Sequence, residues 1–282
     1  GAARPAIPRV IAVVKANAYG HGAARVALAL EAAGADLLAC ADIEEGIVLR
    51  RAGVTVPILV FGALSVSDLD GLFEYRLTPT VSSPGAARAV QAAAARHHAV
   101  IGYHLKLDTG MNRLGFRHDN VGRTLPELLA SPNLRLDAVY THFASADVPD
   151  STLLDEQRVR YERVLTEIAR MGGRPRLRHA ANSAALLRDA RVWYDTVRPG
   201  LLLYGIVPPP LASTIPLPLS TPVSMVAAKT MPTTPTMLEA SGPPVGATTS
   251  TPRDDSACCP RSKMADITWP EVAMTCTAYI LR

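Results

Sequence analysis

Val10-Ile11-Ala12-Val13-Val14-Lys15-Ala16-Asn17-Ala18-Tyr19-Gly20-His21-Gly22 is the stretch on which the architecture turns. Its apolar opening reads as a strand, and no GxGxxG follows it, which argues against an open doubly wound dinucleotide-binding sheet. Seven more strand-like runs come after it, at Leu37–Ala41, Ile58–Phe61, Pro79–Val81, Ile101–Leu107, Leu136–Tyr140, Leu177–Ala180 and Trp193–Val197. Stretches with apolar residues three and four apart lie between them, at Ala23–Ala33, Ile43–Ala52, Ala86–Ala95, Val121–Ala130 and Leu153–Met171, and these read as helices. Strands alternating with helices pair in parallel, and eight is the number that closes a barrel. The expected fold is an α/β (β/α)8 TIM-type barrel over residues 1–210.

Composition changes after that point. Residues 211–282 hold 12 Thr, 10 Pro and 7 Ser, and the prolines leave few windows for a helix or a central strand. A Pro/Ser/Thr-rich, poorly ordered segment is expected there, either as a tail or as the trace of a lost reading frame. Among 282 residues, 29 Lys and Arg against 25 Asp and Glu give a net charge of +4 with no basic run, so nucleic acid is not the expected partner. No apolar stretch reaches the length of a membrane span, and no signal peptide is evident. Cys40, Cys258, Cys259 and Cys276 form no CxxC or even ladder, so neither a disulfide framework nor a metal module is expected, and the cytoplasm is the expected compartment.

A barrel of this kind does its chemistry at the C-terminal ends of its strands. Those ends read Lys15 to Gly22, Lys106-Leu-Asp108-Thr109-Gly-Met-Asn112-Arg113, Tyr140-Thr141-His142-Phe143, His179-Ala-Ala-Asn182-Ser183 and Arg198-Pro-Gly200-Leu201. Lys15 and Lys106 are the only lysines in the first 210 residues, although Arg is abundant there. An amine, unlike a guanidinium, becomes a nucleophile or base when burial lowers its pKa. Loops after the last two strands commonly hold a phosphate, which suits Asn182-Ser183 and Gly200. A rim lysine opposite a phosphate cradle points to a phosphorylated carbonyl compound bound as a Schiff base. Pyridoxal phosphate and aldol-type sugar phosphates both satisfy that description.

The segment around Lys15 resembles the cofactor-attachment segment of alanine racemases. The resemblance continues through Lys106-Leu-Asp-Thr-Gly-Met-Asn-Arg113-Leu-Gly, Thr141-His142-Phe-Ala, His179-Ala-Ala-Asn182-Ser183 and Val197-Arg198-Pro-Gly200-Leu-Leu-Leu-Tyr204-Gly205, in order and over roughly residues 8–210. It implies pyridoxal 5'-phosphate held by Lys15, which also serves as one catalytic base. Tyr19, Asn182, Ser183, Gly200 and Leu201 would bind the cofactor, the phosphate taking Tyr19, Ser183 and the backbone at 200 and 201. His142 would pack beside the pyridine ring and Arg198 would face its nitrogen. Arg113 would meet the substrate carboxylate, and Lys106 would carry a carbamate. The implied reaction interconverts L- and D-alanine, supplying D-alanine for peptidoglycan.

Asp108 is read as a brace for its loop, His97 and His98 as surface residues, His142 and His179 as possible core histidines, and Tyr204 and Trp193 as packing residues. The family's second proton-transfer group is a tyrosine from the partner subunit's C-terminal β domain. Residues 211–282 show no such segment, and Tyr279 is not assigned that role. Measured against the resemblance, the family's usual strand and helix ahead of the first strand are not expected here. The expectation is therefore an incomplete chain with weak or no turnover, without the basis for the family's head-to-tail homodimer. The alternative is a cofactor-binding barrel with no reaction of its own.

Overall fold

The computed structural model describes residues 8–64, 69–208 and 211. Nine strands alternate with helices: β1 (Arg9–Val13), β2 (Leu37–Cys40), β3 (Ile58–Val60), β4 (Thr78–Val81), β5 (Ile101–Asp108), β6 (Phe116–Arg117), β7 (Leu134–Tyr140), β8 (Leu177–His179) and β9 (Thr196–Val197). The helices are α1 (Ala23–Ala32), α2 (Ile43–Arg51), α3 (Asp70–Glu74), α4 (Pro84–Arg96), α5 (Val121–Thr124), α6 (Pro126–Leu129), α7 (Leu153–Arg170) and α8 (Ser183–Arg188). Parallel pairing runs β1–β2–β3–β4–β5–β7–β8–β9, and β9 returns to β1, so the ring closes into the expected (β/α)8 barrel. β6 lies outside the ring, paired with the end of β5.

Successive side chains on a strand face opposite ways, and this alternation decides what lies inside. On β1 to β3, Val10, Ala12, Leu38, Cys40, Ile58 and Val60 join the large core beneath the helices. Ile11, Val13, Leu37, Ala39 and Leu59 form a separate apolar cluster on the inner face. On β5, Tyr103, Leu105 and Leu107 join the outer core, so His104, Lys106 and Asp108 face inward. Tyr140, His179, Thr196 and Arg198 come from the neighbouring strands and are likewise buried. The barrel interior is thus apolar toward β1–β3 and polar toward β4–β9.

Several boundaries differ from the sequence expectation. The single helix expected over Val121–Ala130 is split into α5 and α6, because Pro126 cannot donate into a continuous helix but suits the first turn of a new one. The last strand is only Thr196–Val197, since Trp193 closes a 3-10 turn over Ala190–Val192 and Tyr194 takes φ +51°. Trp193 donates its indole N–H to Leu186 O at 2.9 Å. α3 was not anticipated. The Pro/Ser/Thr-rich segment lies outside the described residues apart from Leu211. Among the described residues no helix is long and apolar enough to cross a membrane, and no cluster of metal-ligating side chains occurs.

Candidate active site

Lys15 follows directly on β1, and the chain after it winds the wrong way. Ala16, Asn17, Ala18 and Tyr19 have φ of 52°, 53°, 55° and 53°, a left-handed turn built without glycine. Such a conformation costs roughly 1–2 kcal/mol per residue, so its surroundings must impose it. Glu45 of α2 does part of this, accepting from the amides of Ala16 and Ala41, both at 2.7 Å. Asn17 adds a bond by accepting from Ala23 N at 2.8 Å, where α1 begins. The turn brings Tyr19 back beside Lys15, with the amine 6.0 Å from the ring centroid.

Because β9 pairs with β1, this turn stands next to the loop after β9. Gly200 is required there by close approach: a Cβ on it would lie 2.7 Å from the Tyr19 hydroxyl oxygen. Ser183 is buried and its Oγ accepts from Gly200 N at 2.9 Å and Leu202 N at 3.3 Å. Asn182, not Ser183, caps α8, accepting from Ala185 N at 2.9 Å. Leu201 opens a 3-10 turn ending at Tyr204. Tyr204, read from sequence as a packing residue, also donates its hydroxyl to Val13 O at 3.0 Å, and its ring stacks on His21 at 4.8 Å. Tyr19, Ser183, Gly200 and Leu201 therefore form one continuous polar corner beside Lys15.

Arg198 stands two residues before Gly200 in the same loop. It is buried, and both terminal nitrogens are engaged: Nη1 donates to His179 Nδ1 at 2.9 Å, and Nη2 donates to Thr141 O at 2.8 Å and Ala180 O at 2.9 Å. None of these bonds uses Nε. Burial lowers the guanidinium only to about 10, so it stays charged at neutral pH. Tyr140 packs against the same group, its ring stacked on His179 at 4.6 Å with the Arg198 guanidinium carbon 5.3 Å from its centroid. Its hydroxyl meets Thr80 Oγ1 at 3.0 Å.

Lys106 also lies against Tyr140, its Nζ 4.5 Å from the ring centroid. Burial, followed by the charges of Arg198 and Arg113, holds its amine well below the ordinary lysine range, while Asp108 opposes them. Asp108 braces its loop as expected, accepting from Gly110 N and Asn112 N, each at 3.0 Å. Arg113 is exposed and makes no hydrogen bond or ion pair among the described residues; it lines an open pocket of about 610 Å³ together with Ser82, Ser83, Asn112 and Arg117. His142 is partly buried. Burial, then the charges of Arg198, Lys106, Arg113 and Lys15, keep it neutral.

Sequence reasoning missed His104, Thr80 and Gln157, and quoted Tyr140 at a strand end without giving it a role. Gln157 of α7 is fully buried: its amide donates to Thr109 Oγ1 at 3.1 Å and His142 O at 3.0 Å, and its oxygen accepts from Ala144 N at 2.9 Å. It ties the loop of Arg113 to the loop of His142. The outward residues His97 and His98 stand apart from all of this, His97 pairing with Asp70 at 2.9 Å.

The family model "Alanine racemase, N-terminal domain" matches residues 2–208. The chain belongs to the alanine racemase family. The alanine racemase of Carboxydothermus hydrogenoformans is 44% identical over 196 residues, 70% of this chain and 53% of that protein. The alanine racemase of Symbiobacterium thermophilum is 42% identical over 203 residues, 72% of this chain and 54% of its own. Among solved alanine racemases, that of Bacillus anthracis with bound L-Ala-P superposes with a TM-score of 0.69 at 36% identity, over 77% of this chain and 56% of that one. The chain thus spans about half the length of the curated alanine racemases it matches.

Proposed function

We propose that this barrel is the cofactor-binding half of a pyridoxal-phosphate-dependent racemase that interconverts L- and D-alanine. The observation that carries the reading is the β1–β9 junction, where Tyr19, against Gly200 and near the Ser183–Gly200 bond, also lies beside the Lys15 amine. The residues fit the cofactor. Gly200 leaves no side chain against the Tyr19 hydroxyl; that hydroxyl, the Ser183 hydroxyl and the backbone at 200 and 201 are groups of the kind a phosphate takes, and the nearby Lys15 amine suits an aldehyde. When bound, pyridoxal phosphate supplies an electron-withdrawing ring that acidifies the α-hydrogen of an attached amino acid.

In this reading Lys15 attaches the cofactor and afterwards takes or returns the proton at the substrate α-carbon from one face. Tyr19, Ser183 and the backbone at Gly200 and Leu201 hold the phosphate, with Asn182 fixing the helix start beneath them. Arg198 would face the pyridine nitrogen. A guanidinium would not surrender its proton there, so the ring would remain a modest electron sink. Prompt reprotonation is then favoured over side reactions. His142 packs beside the ring, and Arg113 offers its planar fork to the substrate carboxylate.

Lys106, whose amine burial and then the charges of Arg198 and Arg113 hold well below the ordinary lysine range, is suited to attack carbon dioxide. An N–C bond forms, a proton leaves to solvent, and the resulting carbamate offsets the charge of Arg113 and Arg198. In a cytoplasmic setting the product D-alanine would feed peptidoglycan synthesis. Among the described residues no second proton-transfer group is assigned opposite Lys15, and turnover by this chain is expected to be weak or absent. A partner chain in a homodimer would have to supply it.

The test is cofactor capture. The purified chain is incubated with pyridoxal phosphate, reduced with borohydride and mapped by peptide mass. Label confined to Lys15 is the expected result. Label spread over Lys229 and Lys263, or none, would overturn the assignment. A D-alanine assay on the same sample tests turnover, and rapid racemisation would contradict the expected weakness.

A further inference from the structure

Beneath Arg198 a second buried contact continues the network: His179 Nε2 lies 3.0 Å from His104 Nδ1. The direction of every proton along this row follows from its first member. A guanidinium can only donate, so His179 Nδ1 must accept from Arg198. A neutral imidazole carries one proton, which His179 must then hold on Nε2 and donate to His104. His104 Nδ1 accepts it, so its own proton sits on Nε2. Burial supports the neutral forms, lowering His104 to about 4 and His179 well below the usual histidine value.

We propose that His104 is a positioning residue, the terminal acceptor of an Arg198→His179→His104 hydrogen-bond row that locks His179 as its Nε2–H tautomer and so holds Arg198 in place. Without an acceptor at position 104, the His179 Nε2–H would be buried unpaired. Moving its proton to Nδ1 would relieve that, but would set two donors face to face at Arg198 and release one of the bonds that aim the guanidinium. Tyr140, stacked on His179 at 4.6 Å with an interplanar angle of 13°, prevents the ring from tilting away to another partner. His104 touches neither Lys15 nor the polar corner around Gly200; it acts through His179. Its importance to a bound cofactor rests on the racemase reading, whereas the tautomer row does not.

The experiment therefore has two arms. In the first, the chain is labelled with 15N-histidine and its seven imidazoles are observed by long-range proton–nitrogen correlation, assigned with single-histidine variants. His104 and His179 are expected as neutral Nε2–H tautomers from about pH 5 to pH 8, and a His179 found as Nδ1–H or as imidazolium in the unaltered chain overturns the proposal. His104→Asn places an amide oxygen where Nδ1 stood and should leave the His179 signals in the same tautomer class. His104→Leu should convert or broaden them, and an unchanged His179 there also overturns the proposal. If His104→Leu does not fold, the unaltered chain and His104→Asn still decide it.

In the second arm, pyridoxal phosphate affinity is measured by titration. His104→Leu should weaken it on the order of tenfold, and His104→Asn less than about threefold. Loss of the His179 tautomer with affinity unchanged would remove the link to Arg198. An unaltered chain that fails to take the cofactor would instead sink the racemase reading, leaving the first arm intact.

Discussion

Gly200 and Tyr19 approach so closely that neither can be changed without the other registering it. Gly200→Ala would press a methyl group onto the Tyr19 hydroxyl at 2.7 Å, displacing the end of a flexible side chain rather than backbone. Folding should suffer by about 1 kcal/mol or less, while capture of pyridoxal phosphate at Lys15 should fall clearly. Tyr19→Phe in the same chain should recover the thermal stability but not the capture, a pattern readable by paired melting and borohydride labelling. At this scale the sequence was informative where chemistry was rare. Two lysines among 210 residues singled out Lys15 and Lys106 without any structure. His104 escaped because the alternation in Tyr103-His104-Leu105-Lys106-Leu107-Asp108 shows two faces but not which of them is enclosed.

Gln157 shows what a helix contributes beyond covering the barrel. Its amide spans from α7 to both Thr109 and the His142–Ala144 segment. Gln157→Leu would leave the Ala144 N–H without its acceptor and free the two loops from each other. The expected loss is about 2–3 kcal/mol, a fall in Tm of roughly 5–10 °C. Gln157→Glu, which keeps the acceptor for Ala144 N but not the two donors, should fall at least as far, since it buries a carboxylate. Calorimetry of the two variants checks both statements. The amphipathic period announced α7 in the sequence, yet Gln157 lies on its buried face, where a polar residue reads as a break in the pattern. Strand and helix ends were legible wherever apolar runs met turn residues. They were misjudged at Pro126 and Trp193, where a local bond overrode the period.

For the molecule as a whole, the buried histidines set an acid limit. His104, His142 and His179 are all held below the unfolded value chiefly by burial; neighbouring cations add to this at His142 and His179, while at His104 Asp137 opposes it more than Arg198 assists. The unfolded chain protonates them near pH 6.5 while the folded chain does not. Stability is therefore full above that pH and is lost as pH falls toward about 4, on the order of 1.4 kcal/mol per pH unit for each histidine involved. Urea midpoints measured from pH 7 down to pH 5 should decline steeply, and the decline should be shallower in His104→Asn. The barrel itself was legible from eight alternating runs, whereas its uneven interior was not, since that depends on which strands meet across the ring.

The ring's pairing is also uneven. β5 and β7 share six register pairs, but β9 holds β8 through one and β1 through two, and Thr196 on β9 carries a buried hydroxyl with no partner among the described residues. Sub-global opening proceeds where such ladders are shortest. That seam separates Lys15 from Gly200 and Arg198, so a cofactor joined covalently on one side and held by its phosphate on the other would act as a staple across it. Departure of the cofactor and the first unzipping of the barrel would then be a single event, visible as amides of β1 and β9 exchanging with deuterium at the rate the cofactor is lost.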